Sequence, residues 1–304
     1  MVCLKCKQDI TDDNSKYGLH RTCFLLWFKI DKPLDFISLT LQSALSKNSE
    51  NVSQLAQENT SFYHGKFKKY SADLGSVSYL FKMRNEKEAP EITEVEYVSN
   101  QIASLLGLPN ADYYYIDFLE QKVFVTKIFI KKNSGSTNLE HIHKFRPDAE
   151  HNCEKLAEVI GQKTQRPYDV EVFYNTVLFD ALIGNHDRHG SNLAFVITAS
   201  KATLSPIYDN VSYLSLESGP FLAADFHPTG RIATSKTKEP SMIDYVTELK
   251  RLDQLEIVQK FAAKVKISKI EELIDESFCS DLMKTALKKL INKRYQELLD
   301  GLQN

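Results

Sequence analysis

The order of apolar and polar positions predicts a chain that begins in strands and ends in helices. Asp35 to Ser46 carries a helix-like period, and residues 47–60, rich in Ser, Asn and Gln, read as a loop or weak helix. From Ser61 to Met83, Phe, Tyr and Val stand among Gly65, Gly75, serines and lysines, as in two strands joined by a turn. Glu91 to Leu106 is amphipathic, with Ile92, Val95, Val98, Ile102, Leu105 and Leu106 on one stripe and Gly107 and Pro109 as the stop. Strands are expected at Tyr113–Phe118 and Lys122–Ile130, followed by a polar hinge over 131–136. Ala149–Gly161 and Val170–Ile183 have helical periods, and the second is apolar enough to be a buried central helix. A strand pair, Leu193–Ile197 and Leu204–Tyr208, precedes a helical stretch from Met242 to Leu299.

Strands gather in the first half and helices in the second, which predicts an α+β fold of two lobes. The expected divisions are a small Cys/His unit over 1–30, a lobe of strands and one helix over 31–132, and a larger helical lobe over 133–304.

Composition narrows the function. The net charge is −2, which removes a global argument for binding nucleic acid or an anionic membrane. No apolar run approaches the roughly 20 residues a membrane span needs. Phe24–Phe28 stops at Lys29, too short for a secretory leader. Five cysteines are an odd count and argue against a disulfide framework. The expectation is a soluble protein of a reducing, cytoplasmic compartment, with delivery into a host cell left open.

The chemistry concentrates in Gly184-Asn185-His186-Asp187-Arg188-His189-Gly190-Ser191-Asn192, directly after the apolar helix. So many polar groups at such a place need a hydrogen-bond network or a ligand. Further on, Pro206-Ile207-Tyr208-Asp209-Asn210 ends an apolar strand in an aspartate, Asp209, seventeen residues beyond Asn192. An Asp and an Asn in one loop, with a second Asp at a later strand end, can line an oxygen site for Mg2+, which favours few protein carboxylates plus phosphates. Protein kinases need those parts: a catalytic-loop Asp as base, an Asn five residues on for metal, and a later metal-binding Asp. Asp187 and Asn192 have that spacing, and Asp209 follows. A strand lysine for the phosphates is available in Lys82, with Glu94 or Glu96 as its ion-pair partner.

The segments from Leu182 to Asn192 and from Ser205 to Asp209 resemble the catalytic segments of the HipA-like serine/threonine kinases of bacterial toxin–antitoxin systems. Glu94 to Leu108 resembles that family's helix after the lysine strand, and the likeness covers roughly residues 60 to 245. The short chain, without the extra N-terminal subdomain of full-length HipA, is similar to compact members of the HipT and CtkA type. The resemblance implies ATP and Mg2+ as cofactors, Asp187 as catalytic base, Asn192 and Asp209 as metal ligands, and Lys82 on the phosphates. His189 and Tyr208 would line the nucleotide pocket, and the strand from Lys127 to Phe129 would meet the adenine through its backbone. Ser61-Phe-Tyr-His-Gly65 stands where the phosphate-covering loop belongs, with Ser61, or else Ser71, as its autophosphorylated serine. The partners implied are a protein substrate (an aminoacyl-tRNA synthetase among the candidates), a neutralising antitoxin, and a small protein in place of the missing subdomain.

Two other readings stay open. One is a metal-dependent phosphohydrolase ligating through His186, Asp187 and His189; the other is a catalytically silent, nucleotide-binding interaction module. Separately, Cys3-x2-Cys6 and His20-x2-Cys23 place two ligand pairs about 13 residues apart, spacing suited to a structural zinc of the Cys3His kind, with free thiols on a helical hairpin as the alternative. His141, His143 and His151 read as loop histidines, and Cys153 and Cys279 as small buried apolar residues.

Overall fold

The computed structural model describes residues 1–11, 15–42, 69–84, 87–130, 137–147, 150–190, 192–223 and 232–303. The expected hinge at 131–136, the loop at 47–60 and Ser61 lie outside these residues. Two compact units emerge: residues 1–93 with 111–131, and residues 94–110 with 132–304. Among the described residues no helix is long and apolar enough to cross a membrane.

The first unit is built on an antiparallel five-stranded sheet. Its strands are β1 (Ile37–Gln42), β2 (Lys69–Leu74), β3 (Val77–Met83), β4 (Tyr113–Phe118) and β5 (Gln121–Lys127), in the order β1-β2-β3-β5-β4. The helix-like period over Asp35–Ser46 is corrected here. Ile37-Ser38-Leu39-Thr40-Leu41-Gln42 alternates with period two, and pairing with β2 decides the matter. Successive side chains of a strand point to opposite faces, so Tyr79 and Phe81 share one face of β3 while Leu80 and Lys82 take the other. The N-terminal residues cover the aromatic face. Phe28, at the end of α1 (Arg21–Phe28), stacks on Tyr114 at 4.3 Å, and Phe36 meets Phe81 edge-on at 4.9 Å. Each such pair contributes about 0.5–1.5 kcal/mol beyond the area it buries. At Gly18 (φ 74°) a Cβ would overlap the Asp117 side chain, while Asp117 N–H donates to the Tyr17 carbonyl at 2.9 Å. Glycine is required where the N-terminal segment lies this close to β4.

The second unit holds most of α2 (Ile92–Leu105), then β6 (Asn138–His141), α3 (Cys153–Thr164), α4 (Pro167–Ile183), β7 (Ala194–Ile197), β8 (Ala202–Leu204) and four helices, α5 (Met242–Arg251), α6 (Leu255–Lys264), α7 (Ile267–Asp275) and α8 (Asp281–Gln303). The strands form a second, three-stranded antiparallel sheet in the order β6-β7-β8. The expected strand Leu204–Tyr208 ends early for a physical reason. Pro206 has no N–H for a ladder, and Ile207 instead donates to the Pro109 carbonyl at 2.8 Å. Helix α4 is buried on nearly every side, with Phe173, Leu178, Phe179 and Leu182 each 0 % exposed, so it needs no polar stripe. Gly184 at φ 70° closes it, its N–H bonded to the Asp180 carbonyl. A buried helix with a sharp stop delivers the polar run to a defined place.

Candidate functional site

The polar run after α4 is organised by a residue that the sequence reading left without a role, Arg188. Its side chain is 1 % exposed, and each guanidinium N–H has a partner. Nε donates to Asp180 Oδ2 at 2.8 Å, and Nη2 to Asp180 Oδ1 at 2.9 Å and Asn210 Oδ1 at 2.6 Å. Nη1 donates to the carbonyls of Tyr208 at 2.6 Å and Asn192 at 3.3 Å. A bidentate, fully hydrogen-bonded pair is the arrangement in which a buried charge is tolerated. Burial alone would lower the Arg188 pKa, but the Asp180 carboxylate more than offsets this and holds it above its usual value. Asp180 was legible in principle: a lone acid in the apolar stretch Leu178-Phe179-Asp180-Ala181-Leu182 demands a buried cation.

One guanidinium therefore ties the backbone at Asn192 to the backbone just before Asp209. The loop adds its own bonds. Asn192 Nδ2 donates to the Asp187 carbonyl at 2.7 Å, which leaves its Oδ1 as the acceptor of that amide. Asn185 Oδ1 accepts from Asp187 N–H at 3.0 Å, and its Nδ2 donates to Asp180 at 2.9 Å and to the Asp209 carbonyl at 3.4 Å. Asp209 holds φ 54°, a costly left-handed conformation for a residue with a side chain. Asn210 then reaches α2, donating to Asn100 Oδ1 at 3.0 Å and Asn110 Oδ1 at 3.2 Å.

The functional groups stand on this frame. The Asp187 carboxylate is 78 % exposed, in contrast to everything that holds its backbone, and His189 Nε2 lies 3.5 Å from its Oδ1. Tyr208 is buried, its hydroxyl 3.5 Å from His141 Nδ1, and burial followed by the neighbouring Asp209 raises its pKa. Asp187, Asn192 and Asp209 supply hard oxygen donors without sulfur or imidazole, a set that fits Mg2+. His186 is placed otherwise. It stacks on Tyr213 at 4.8 Å, and burial, then the Arg294 charge, lowers its pKa to about 4. An imidazole used as a packing surface is a poor start for the ligand set His186, Asp187 and His189.

In the sheet unit, Lys82 is 6 % exposed on β3, in register with Phe124 of β5 and Lys69 of β2. Lys127 N–H donates to the Asp112 carbonyl at 2.8 Å and Ile128 N–H to that of Ser78 at 2.9 Å. Ser71 is corrected as a loop serine: it lies within β2, paired to Leu80 on one side and Thr40 on the other. Glu94 and Glu96, each 1 % exposed, sit in the first turns of α2.

The four N-terminal candidates do come together. One ligand atom from each of Cys3, Cys6, His20 and Cys23 lies within 4.8 Å of all the others, and no other such group of three or more occurs among the described residues. Burial disfavours the Cys3 thiolate, but hydrogen bonds from the backbone of Cys6, His20 and Lys5 outweigh it and lower the pKa to about 6.

Comparison with known proteins places the chain in a family. The serine/threonine-protein kinase CtkA of Helicobacter pylori (strain J99) is 22% identical over 220 residues, 67% of this chain and 63% of that protein's length. The crystal structure of a Helicobacter pylori proinflammatory kinase CtkA superposes with a TM-score of 0.64 at 19% identity, covering 79% of this chain and 92% of that one. Shewanella oneidensis HipA, solved with HipB and operator DNA, gives 0.52 at 15% identity over 74% and 57%. The sequence model of the HipA-like C-terminal domain matches residues 54–286, which spans well over half the chain, and the protein belongs to that family.

Proposed function

We propose that this protein is an ATP- and Mg2+-dependent serine/threonine protein kinase of the HipA-like type. The observation that carries the reading is the Arg188 frame, which fixes the backbone of Asn192 and of Tyr208-Asp209 while leaving the Asp187 carboxylate in solvent. Phosphoryl transfer asks the protein chiefly to position groups and neutralise charge, so a rigid frame under a few oxygen donors is the apparatus it needs. Asp187 would accept the proton of the target hydroxyl. Asn192 Oδ1 and the Asp209 carboxylate would hold the metal, which when bound neutralises charge on the transferred phosphate. Lys82 would grip the phosphates, His189 and Tyr208 would line the nucleotide side, and Ser61 is the serine we assign to autophosphorylation.

Partners are proposed with the kinase reading. A Ser/Thr of another protein, an aminoacyl-tRNA synthetase among the candidates, is the substrate proposed. A neutralising antitoxin is proposed from the HipA–HipB structure, together with a small protein partner. The phosphohydrolase alternative is disfavoured by the packing of the His186 ring against Tyr213.

The test is intact-mass spectrometry of the parent and Asp187→Asn after incubation with ATP and Mg2+, with a protein substrate in parallel. Phosphate transfer should fall by about 10²–10⁴ in the variant, the usual worth of a positioned base, with no loss of thermal stability. Transfer at the parental rate in Asp187→Asn, or ATP consumption yielding no phosphoprotein, would overturn the reading.

A further inference from the structure

We propose that Cys3, Cys6, His20 and Cys23 hold one structural zinc ion, and that this ion pins the N-terminal segment onto the aromatic face of the five-stranded sheet. The inference stands apart from the kinase reading, since neither the ligands nor that face include a residue assigned to phosphoryl transfer.

The distances fit the ion. Tetrahedral zinc with Zn–S of about 2.3 Å and Zn–N of about 2.05 Å separates a sulfur from a nitrogen ligand by about 3.6 Å and two sulfurs by about 3.8 Å. His20 Nδ1 lies 3.4 Å from Cys6 Sγ and 3.9 Å from Cys23 Sγ. All three cysteines are free thiols, so no disulfide accounts for their convergence.

Local backbone structure positions the donors. His20 Nε2 sits 3.0 Å from the Asp9 carbonyl, which keeps the proton on Nε2 and leaves the Nδ1 lone pair aimed at the sulfurs. Cys3 and Cys6 are carried by a tight turn closed by Lys7 N–H to the Cys3 carbonyl at 2.8 Å and Cys3 N–H to the Gln8 carbonyl at 2.9 Å, with Lys7 at φ 60°. His20 occupies the N-cap position of α1 and Cys23 lies in its first turn, so the start of the helix fixes the spacing of this second ligand pair.

Three thiolates and one imidazole fill four positions, leaving none for water or substrate, which makes the site structural. The set also selects against Mg2+ and Ca2+, which want oxygen. A segment of about 30 residues buries too little to hold a fold unaided, and metal binding supplies that free energy. The metal would hold an aromatic cluster: Tyr17, Phe24 and Phe28, close to the ligands in the chain, pack with Phe36, Tyr114 and Phe118.

The experiment measures metal on the full chain, purified without chelator, by elemental analysis and native mass spectrometry. One zinc per chain is expected, falling at least tenfold in Cys6→Ser/Cys23→Ser. Replacement by cobalt(II) should give the intense visible absorption of tetrahedral thiolate coordination, altered in His20→Ala. Since the double variant could fail to fold, hydrogen exchange of the wild type is followed before and after a zinc chelator. Amides of β3 and β4 should lose at least tenfold protection, while α4 keeps its own. Less than a tenth of a zinc per chain, full zinc in the double variant, or iron in its place would overturn the site. Complete zinc removal with unchanged exchange in β3 and β4 would overturn the pinning.

Discussion

Two polar clusters of this protein look alike as strings of Cys, His, Asp and Arg, yet they are opposite in physical state. Around Arg188 each guanidinium N–H already has an oxygen within the protein. Around Cys3, Cys6, His20 and Cys23, four lone-pair donors converge on one another within 4.8 Å. A satisfied network is scaffolding; converging acceptors are half of a coordination shell. The difference teaches how to read dense polar motifs: their meaning lies in what remains unanswered after the internal hydrogen bonds are assigned.

That contrast can be broken first at Arg188. Arg188→Leu leaves the Asp180 carboxylate buried without its cation, and should destabilise the helical unit by about 3–5 kcal/mol in chemical denaturation. The double variant Arg188→Leu/Asp180→Leu should recover most of that loss while activity stays low, because the tie between Asn192 and Tyr208 is gone. Equal stability of the parent and the single variant would mean that the network is not the frame described. Chelation, by contrast, should leave the α4 region as it was.

Gly184 sharpens the comparison at the backbone. It takes φ 70°, and a Cβ there would lie 2.9 Å from Leu290 Cδ2 and 3.0 Å from Tyr213 Cδ1. Gly184→Ala should cost about 1–3 kcal/mol, read as a lowered Tm, from left-handed strain plus overpacking.

The smallest effect is expected at His186. Its folded pKa, about 4, lies below the ordinary 6.5, so the fold prefers the neutral ring. Stability from this group is therefore full above pH 6.5 and is lost as the pH falls from 6.5 towards 4. Discounted for the ring's partial solvent contact, the loss is about 1–2 kcal/mol. His186→Phe should flatten the Tm profile over that window; an unchanged slope would place the acid sensitivity elsewhere.

Much of this was visible in the chain. The helices Glu91–Leu106 and Val170–Ile183 lie close to α2 (Ile92–Leu105) and α4 (Pro167–Ile183), because long apolar periods survive any tertiary context. The short strands were less secure. The period over Asp35–Ser46 reads equally as helix or strand across a few residues, and β6 carries too few residues to show a pattern. The chemical residues were legible by type and spacing. Arg188 was not, since an arginine inside a polar loop looks solvent-facing until its burial is known.

Sequence by itself determined the residue types, the spacing of Asp187 to Asn192 and of the two Cys/His pairs, and the helices whose apolar periods exceed three turns. These are properties of the covalent chain and of local geometry. Tertiary structure alone decided that Asp180, Arg188, Asn192, Tyr208 and Asn210 share one buried network, and that Lys82 points away from the aromatic face. It also decided that four N-terminal donors meet around one point. Burial and convergence depend on contacts between distant segments, and a local pattern carries no record of which partner removes a charge from water.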